Sequence, residues 1–221
     1  MQQENNTIHT VPLLWADSQD GPLVADVLSF KNYRQGDIYV MVGATVGQAG
    51  AITLHKGTSV GGSPATAFAF TRYLETGFVL KYDGPSTDTP AAAGETISGA
   101  GGGAATIYKD TGTELICYGY NGTTFVDNET VTCSGGKTVV ADGIQVNEDI
   151  LVPRTAASNT FNINAVGSKI YMIPVSAEDL GDGYDCLELN VADLNTTDLA
   201  AWAVMSGYRG MKEIPETAIY D

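Results

Sequence analysis

The chain holds two histidines, His9 and His55, and three cysteines, Cys117, Cys133 and Cys186. Acid–base, nucleophilic or metal chemistry has to be assembled from these or from carboxylates. His9 lies in a polar N-terminal arm. His55 lies in a run of alternating residues beside Lys56, where an ordinary strand histidine is the simpler role. No serine stands in a Gly-x-Ser-x-Gly elbow; Gly62-Ser63-Pro64 and Ser134-Gly135-Gly136 read as turns. Three widely spaced cysteines fit neither a disulfide framework nor a zinc site, so they read as reduced thiols that fill a core.

Three further groups invite a chemical reading. The glycine run Gly99 to Gly103 would cradle a phosphate with backbone N–H groups, but that use requires a strand before it, a helix after it and a fixed lysine. The following residues are β-rich, so a bend is expected instead. The acidic stretch Glu178-Asp-Leu-Gly-Asp-Gly-Tyr-Asp185, with Glu188 beyond it, offers oxygen ligands for calcium or a glycosidase carboxylate pair. Its spacing is not that of an EF-hand loop, and a solvated turn is the expectation. Tyr108, Tyr118, Tyr120 and Phe125 would suit a sugar platform, yet packing inside a small β-module explains them with fewer assumptions. The sequons at Asn5, Asn121, Asn128 and Asn195 carry no weight without a secretory route. No catalytic, cofactor-binding or metal-binding residue is assigned.

Composition narrows the class. Charged residues make up 17% of the 221-residue chain, with 26 acids against 11 bases and a net charge of −15. Scattered single bases argue against nucleic acid, which needs clustered Lys and Arg. No apolar run approaches the length that spans a bilayer, and residues 1–10 show no export signal, so a soluble chain without a membrane partner is expected.

The elements that would position these residues read as strands. Val27 to Phe30, Asp37 to Val42, Ala51 to Lys56, Ala67 to Arg72 and Phe78 to Tyr82 are short and rich in β-branched or aromatic residues. Ala16 to Pro22 gathers turn formers, and the strand at Ala51 is expected to form a hairpin with the one before it. After a Gly- and Pro-rich junction at Gly84 to Pro90, Gly94-Glu-Thr-Ile-Ser-Gly-Ala-Gly-Gly102 aligns without gaps on Asn128-Glu-Thr-Val-Thr-Cys-Ser-Gly-Gly136. Each copy predicts a turn, a strand, a glycine turn and a second strand (Ala104 to Lys109; Lys137 to Ala141). Between the copies Glu114 to Tyr120 is a strand ended by Asn121-Gly122, a hairpin signal. Ile150 to Val152, Thr160 to Val166, Lys169 to Val175 and Cys186 to Val191 resume the outer pattern and are expected to pair with the strands before the junction. Thr196 to Ser206 predicts a helix capped by Thr196, Thr197 or Asp198, with Leu199, Trp202 and Met205 at helical spacing; a strand over Ala201 to Gly207 is its rival. An extended tail follows from Tyr208. The expected fold is all-β: a discontinuous, jelly-roll-like antiparallel β-sandwich from residues 1–84 and 147–221, with an inserted β-module at 85–146.

Several segments together resemble small virion structural proteins of tailed bacteriophages: Leu28-Ser-Phe-Lys-Asn-Tyr-Arg34, Ile52-Thr-Leu-His-Lys-Gly57, Ala65-Thr-Ala-Phe-Ala-Phe70, Tyr171-Met-Ile173 and Tyr184-Asp-Cys-Leu187. The Glu-Thr and Gly-Gly repeat with Phe125-Val-Asp-Asn-Glu129 is similar to β-modules inserted in phage head and tail proteins. The resemblance implies a non-enzymatic capsid decoration or cement protein. It would assemble onto the virion in the host cytoplasm, form a homotrimer and bridge capsomers of the major capsid protein. A tail or neck component and a carbohydrate-binding module are the alternatives.

Overall fold

A computed structural model describes residues 8–43, 47–83, 91–142, 150–163, 167–207 and 219–220. The chain divides into two compact units, residues 1–74 with 153–221, and residues 75–152. In chain order the first unit contains β1 (His9–Gln19), β2 (Leu23–Val24), β3 (Val27–Ser29), β4 (Gln35–Val42), β5 (Gly50–Gly57) and β6 (Thr66–Ala67). Strand β7 (Arg72–Lys81) runs into the second unit, which holds β8 (Thr96–Gly99), β9 (Ala104–Asp110), β10 (Glu114–Tyr118), β11 (Thr130–Cys133) and β12 (Thr138–Val140). Strand β13 (Ile150–Thr155) leads back to β14 (Thr160–Ile163), β15 (Lys169–Ser176), β16 (Cys186–Val191), β17 (Thr197–Ser206) and β18 (Ile219–Tyr220). No helix occurs among the described residues. The second unit begins at Glu75 and ends at Val152, where composition alone suggests Pro85 and Val146. The chain crosses between units inside β7 and β13, and nothing in composition marks a point inside a strand.

The first unit is a β-sandwich. One sheet orders β1-β17-β4-β15, the other β14-β5-β16-β3-β18. Period-two alternation builds the core: Ile38, Val40 and Val42 of β4, and Tyr171, Ile173 and Val175 of β15, meet Ile52 and Leu54 of β5 and Leu187, Leu189 and Val191 of β16. Phe161 on β14 ties the two sheets together, with ring centroids 4.1 Å from Tyr73 and 5.3 Å from Tyr171.

Several expectations from the sequence do not hold. No strand runs over Ala67 to Arg72: β6 ends at Ala67 and β7 begins at Arg72. Residues from Thr197 to Ser206 form β17, not a helix. Leu199, Ala201, Ala203 and Met205 point into the core at period two. Asn195 and Thr196 both take positive φ (51° and 47°), which no helix start adopts. The strands β4 and β5 form no hairpin: β4 pairs with β15 and β17, β5 with β14, β16 and β6. The first strand also continues through Ala16 to Gln19, although turn formers cluster there. The junction at 84–90 lies outside the described residues, as does the tail apart from Ile219–Tyr220.

The second unit is a sheet closed on itself. Its strands order β7-β10-β9-β8-β11-β12. Just beyond β12 and β7, Ala141 forms an antiparallel bridge with Tyr82, backed by Asp83 N–H to Val140 O and Asp142 N–H to Lys81 O, both 2.9 Å. Closure removes exposed edges. Ile97, Ile107, Leu115, Cys117, Phe125, Val131 and Cys133 fill the interior. Asn121-Gly122 turns no hairpin; Asn121 instead donates to Gly102 O at 2.9 Å and accepts from Ala104 N–H at 3.0 Å.

The repeat is a local twofold. β8 and β11 pair antiparallel with Ser98 opposite its counterpart Thr132. Matching backbone bonds recur in both copies. Gly94 N–H donates to Ile107 O as Asn128 N–H does to Ala141 O (2.8 and 2.9 Å). Gly102 N–H donates to Gly99 O as Gly136 N–H does to Cys133 O (3.0 and 2.9 Å). Gly102 and Gly136 share φ near 90°. A Cβ on Gly135 would lie 2.6 Å from Glu95 Oε1, so the glutamate of one copy fills the glycine turn of the other. On the opposite side Glu129 Oε1 accepts from Gly101 N–H at 2.6 Å and Oε2 from Val126 N–H at 2.9 Å. Glu95 Oε2 is buried without a hydrogen-bond partner. The halves therefore differ in strength. Glu129→Ala removes two charge-assisted hydrogen bonds to turn amides and lowers stability by about 2–4 kcal/mol in urea denaturation, while Glu95→Ala costs less than half of that.

Candidate interaction surface

The sheet β1-β17-β4-β15 is apolar on its outer face as well as its inner one. Register stacks that face into rows: Pro12, Trp202, Tyr39 and Met172 lie abreast, as do Thr10, Val204, Asp37 and Pro174, and then Ala200, Met41 and Ile170. Tyr39 and Trp202 stack with rings 5.4 Å apart and 5° from parallel. Met41 is 42% exposed, and the remaining side chains of β4, β15 and β17 in these rows are half-buried. Four strands about 4.8 Å apart and three rows about 6.8 Å apart outline a patch of about 400 Å². Patches of about 300–600 Å² are the largest that a typical monomer exposes, and they are often functional. Within β1, Trp15 is exposed as well, at 79%.

Asp37 is the single charge in these rows. Burial raises its carboxyl above the ordinary 3.8, and burial followed by the Asp37 charge raises the Tyr39 hydroxyl. Both shifts follow from a position inside an apolar face.

The residues singled out by sequence fall elsewhere. His9 Nδ1 lies 2.8 Å from the Tyr33 hydroxyl. His55 on β5 faces Glu188 on β16 in register, and its Nδ1 lies 2.7 Å from Asn190 Nδ2. In the acidic stretch, Glu178, Asp179 and Asp182 are exposed and Asp185 is half-buried, and Asp179 Oδ2 accepts from Ser176 N–H at 3.2 Å. The cation at that loop is Lys56: its Nζ donates to Leu180 O at 2.6 Å and stands 4.3 Å over the Tyr184 ring. Among the described residues no group of three or more His, Cys, Asp and Glu is placed to hold a metal ion. The glycine run cradles an anion after all, but it is the carboxylate of Glu129. Tyr120 and Phe125 pack on Phe78, with centroids 5.2 and 6.0 Å away, so of the four aromatics only Tyr108 is exposed.

All three cysteines are buried and unpaired. Burial pushes Cys117 up to about 12, and burial plus a hydrogen bond to Asp185 does the same to Cys186. Cys117 and Cys133 sit in the barrel core; Cys186 lies at the start of β16. No protein-family model matches the chain, and no curated protein resembles it in sequence.

The patch itself escapes sequence reading. Its one available signal is a β17 with apolar residues at odd and even positions alike, the pattern of a strand covered on both faces. The raised Asp37 carboxyl gives a test. A carboxyl whose folded value exceeds its unfolded one favours the fold at low pH and loses that contribution as pH rises through the folded value. Asp37→Asn therefore raises Tm at pH 7, and thermal scans show the gain vanishing below about pH 3.8, the ordinary value.

Proposed function

We propose that this chain is a non-enzymatic structural protein of a tailed-bacteriophage virion that decorates or cements the outer capsid surface by bridging capsomers. The observation that carries the reading is the outer face of the β1-β17-β4-β15 sheet, an aromatic-centred patch with one charge in a chain of net charge −15. A flat apolar face suits a protein surface, where buried aromatics supply most of the affinity. The excess of acids disfavours the packaged genome and keeps the chain soluble at the high local density of a shell. Many modest contacts repeated over a symmetric lattice add up to firm attachment. The closed barrel adds bulk without an edge strand that would recruit stray chains.

The test is co-sedimentation of the purified protein with mature capsids of the phage that encodes it. Saturable binding at a fixed ratio to the major capsid protein is expected. Met41→Lys, at the exposed position of the patch, weakens binding by at least about tenfold while shifting folding stability by no more than about 0.5 kcal/mol, the usual limit for surface substitutions. Wild-type protein that stays off the shells removes the decoration role, and assembly into rings or tubes moves the chain to the neck or tail.

A further inference from the structure

The outer face of the other sheet carries a different feature. Strand β16 sends Leu187, Leu189 and Val191 into the core, and Glu188 and Asn190 lie between them along the strand, with His55 and Thr53 opposite on β5. Glu188 is only 8% exposed. A carboxylate so buried is ordinarily met by a cation or by several N–H donors. Among the described residues its hydrogen-bond donor is Asn190 Nδ2, at a long 3.4 Å. Lys56, the adjacent cation on β5, is turned to Leu180 O instead.

Asn190 is also incomplete. Its Nδ2 lies 2.7 Å from His55 Nδ1, and its Oδ1 is buried with no hydrogen-bond partner. Exchanging the amide oxygen and nitrogen does not repair this, because it would set oxygen against the Glu188 carboxylate and strand an N–H instead. The amide is thus oriented by two acceptors, His55 Nδ1 and Glu188, and its own acceptor is left over. The Glu188 carboxylate and the Asn190 carbonyl oxygen, two residues apart on the same face of β16, are both short of donors.

We propose that this cluster of Glu188, Asn190 and His55 recognises a cationic nitrogen group, with a guanidinium as the preferred form. A guanidinium offers several N–H donors in one plane, so it satisfies the Glu188 carboxylate and Asn190 Oδ1 together, as a single ammonium does less well. His55, half-buried, is the side chain that gives way to admit it. The group comes either from an arginine of a protein partner or from a free guanidino compound. The site is independent of the apolar patch on the first sheet and stands whether or not that patch docks on a capsid.

The full chain, labelled with ¹⁵N, is titrated with agmatine and, separately, with the peptide acetyl-Gly-Arg-Gly-amide; the citrulline analogue of the peptide is the uncharged control. Saturable shifts of the His55 imidazole and Asn190 side-chain amide signals are expected with the cationic probes and not with citrulline. Response to agmatine assigns a free ligand as sufficient; response to the peptide alone assigns a protein-borne arginine. Glu188→Gln and Asn190→Ala each weaken the response at least about tenfold. Glu188→Gln also raises the Tm of the free protein, because it removes a buried charge held for a partner. Absence of saturable shifts with either probe, equal shifts with citrulline, or a lower Tm in Glu188→Gln overturns the proposal, the last by making the carboxylate a structural anchor. A Glu188→Gln chain that fails to fold overturns it on the same ground.

Discussion

Strand β17 is apolar on both of its faces, and the first unit is organised around that constraint. An extended strand must place successive side chains on opposite sides, so Leu199, Ala201, Ala203 and Met205 enter the core while Ala200, Trp202 and Val204 are carried to the outer face. The neighbours answer on both sides. Inside, β4 supplies Ile38, Val40 and Val42; outside, it supplies Tyr39 and Met41 beside Trp202 and Ala200. Ala200, Ala201 and Ala203 keep β17 slim between β1 and β4, and Gly36 leaves room for Met205, whose sulfur a Cβ there would meet at 2.7 Å. The core therefore cannot be built by this strand without also creating the outer patch.

The second unit solves a different problem. A short sheet with one apolar face has to cover it, and here the sheet curls until its ends meet at Tyr82 and Ala141. The two copies of the repeat make that curl possible by each supplying a hairpin, and they lock one another through Glu95 and Glu129. The shared residues then have physical reasons. Gly135 leaves space for the Glu95 carboxylate, whereas on the other side it is Gly99, not shared, that makes room for Glu129; Gly102 and Gly136 hold a positive φ in the turn. Glu129 accepts from two turn amides on its side and ties the turn down with a buried carboxylate. Thr96 and Thr130, also identical, are exposed.

What sequence makes legible follows from this. The barrel strands are readable because their turns are written locally, in glycine and asparagine, and because the motif occurs twice. The sandwich strands are readable from alternation, but their partners are not. The link from β4 to β5 crosses from one sheet to the other, and a short separation along the chain gives no hint of that. Strand β17 misleads for a specific reason: when apolar residues occupy nearly every position, some always fall at helical spacing, as Leu199, Trp202 and Met205 do. The patch and the Glu188 cluster are out of reach altogether. Tyr39 meets Trp202, and His55 meets Glu188 and Asn190, only through register between distant segments, and register is fixed by the packed core.

The acidity of the chain and the neutrality of its patch act together. Charge at −15 keeps copies apart over long distances at low salt, but at physiological ionic strength its reach is about 8 Å. The patch spans roughly 20 Å, so its centre at Tyr39 and Trp202 lies about a screening length or more from charges on its rim. Contact there depends on short-range fit and on the release of water from apolar surface, not on charge steering. Asp37 is the exception inside the rows. A partner that covers it must either bring a donor or accept the carboxyl in its neutral form, and burial in the free chain has already moved the group toward that form. A face of this kind penalises partners that leave Asp37 unmet, which turns one misplaced charge into a selectivity element on an otherwise permissive surface.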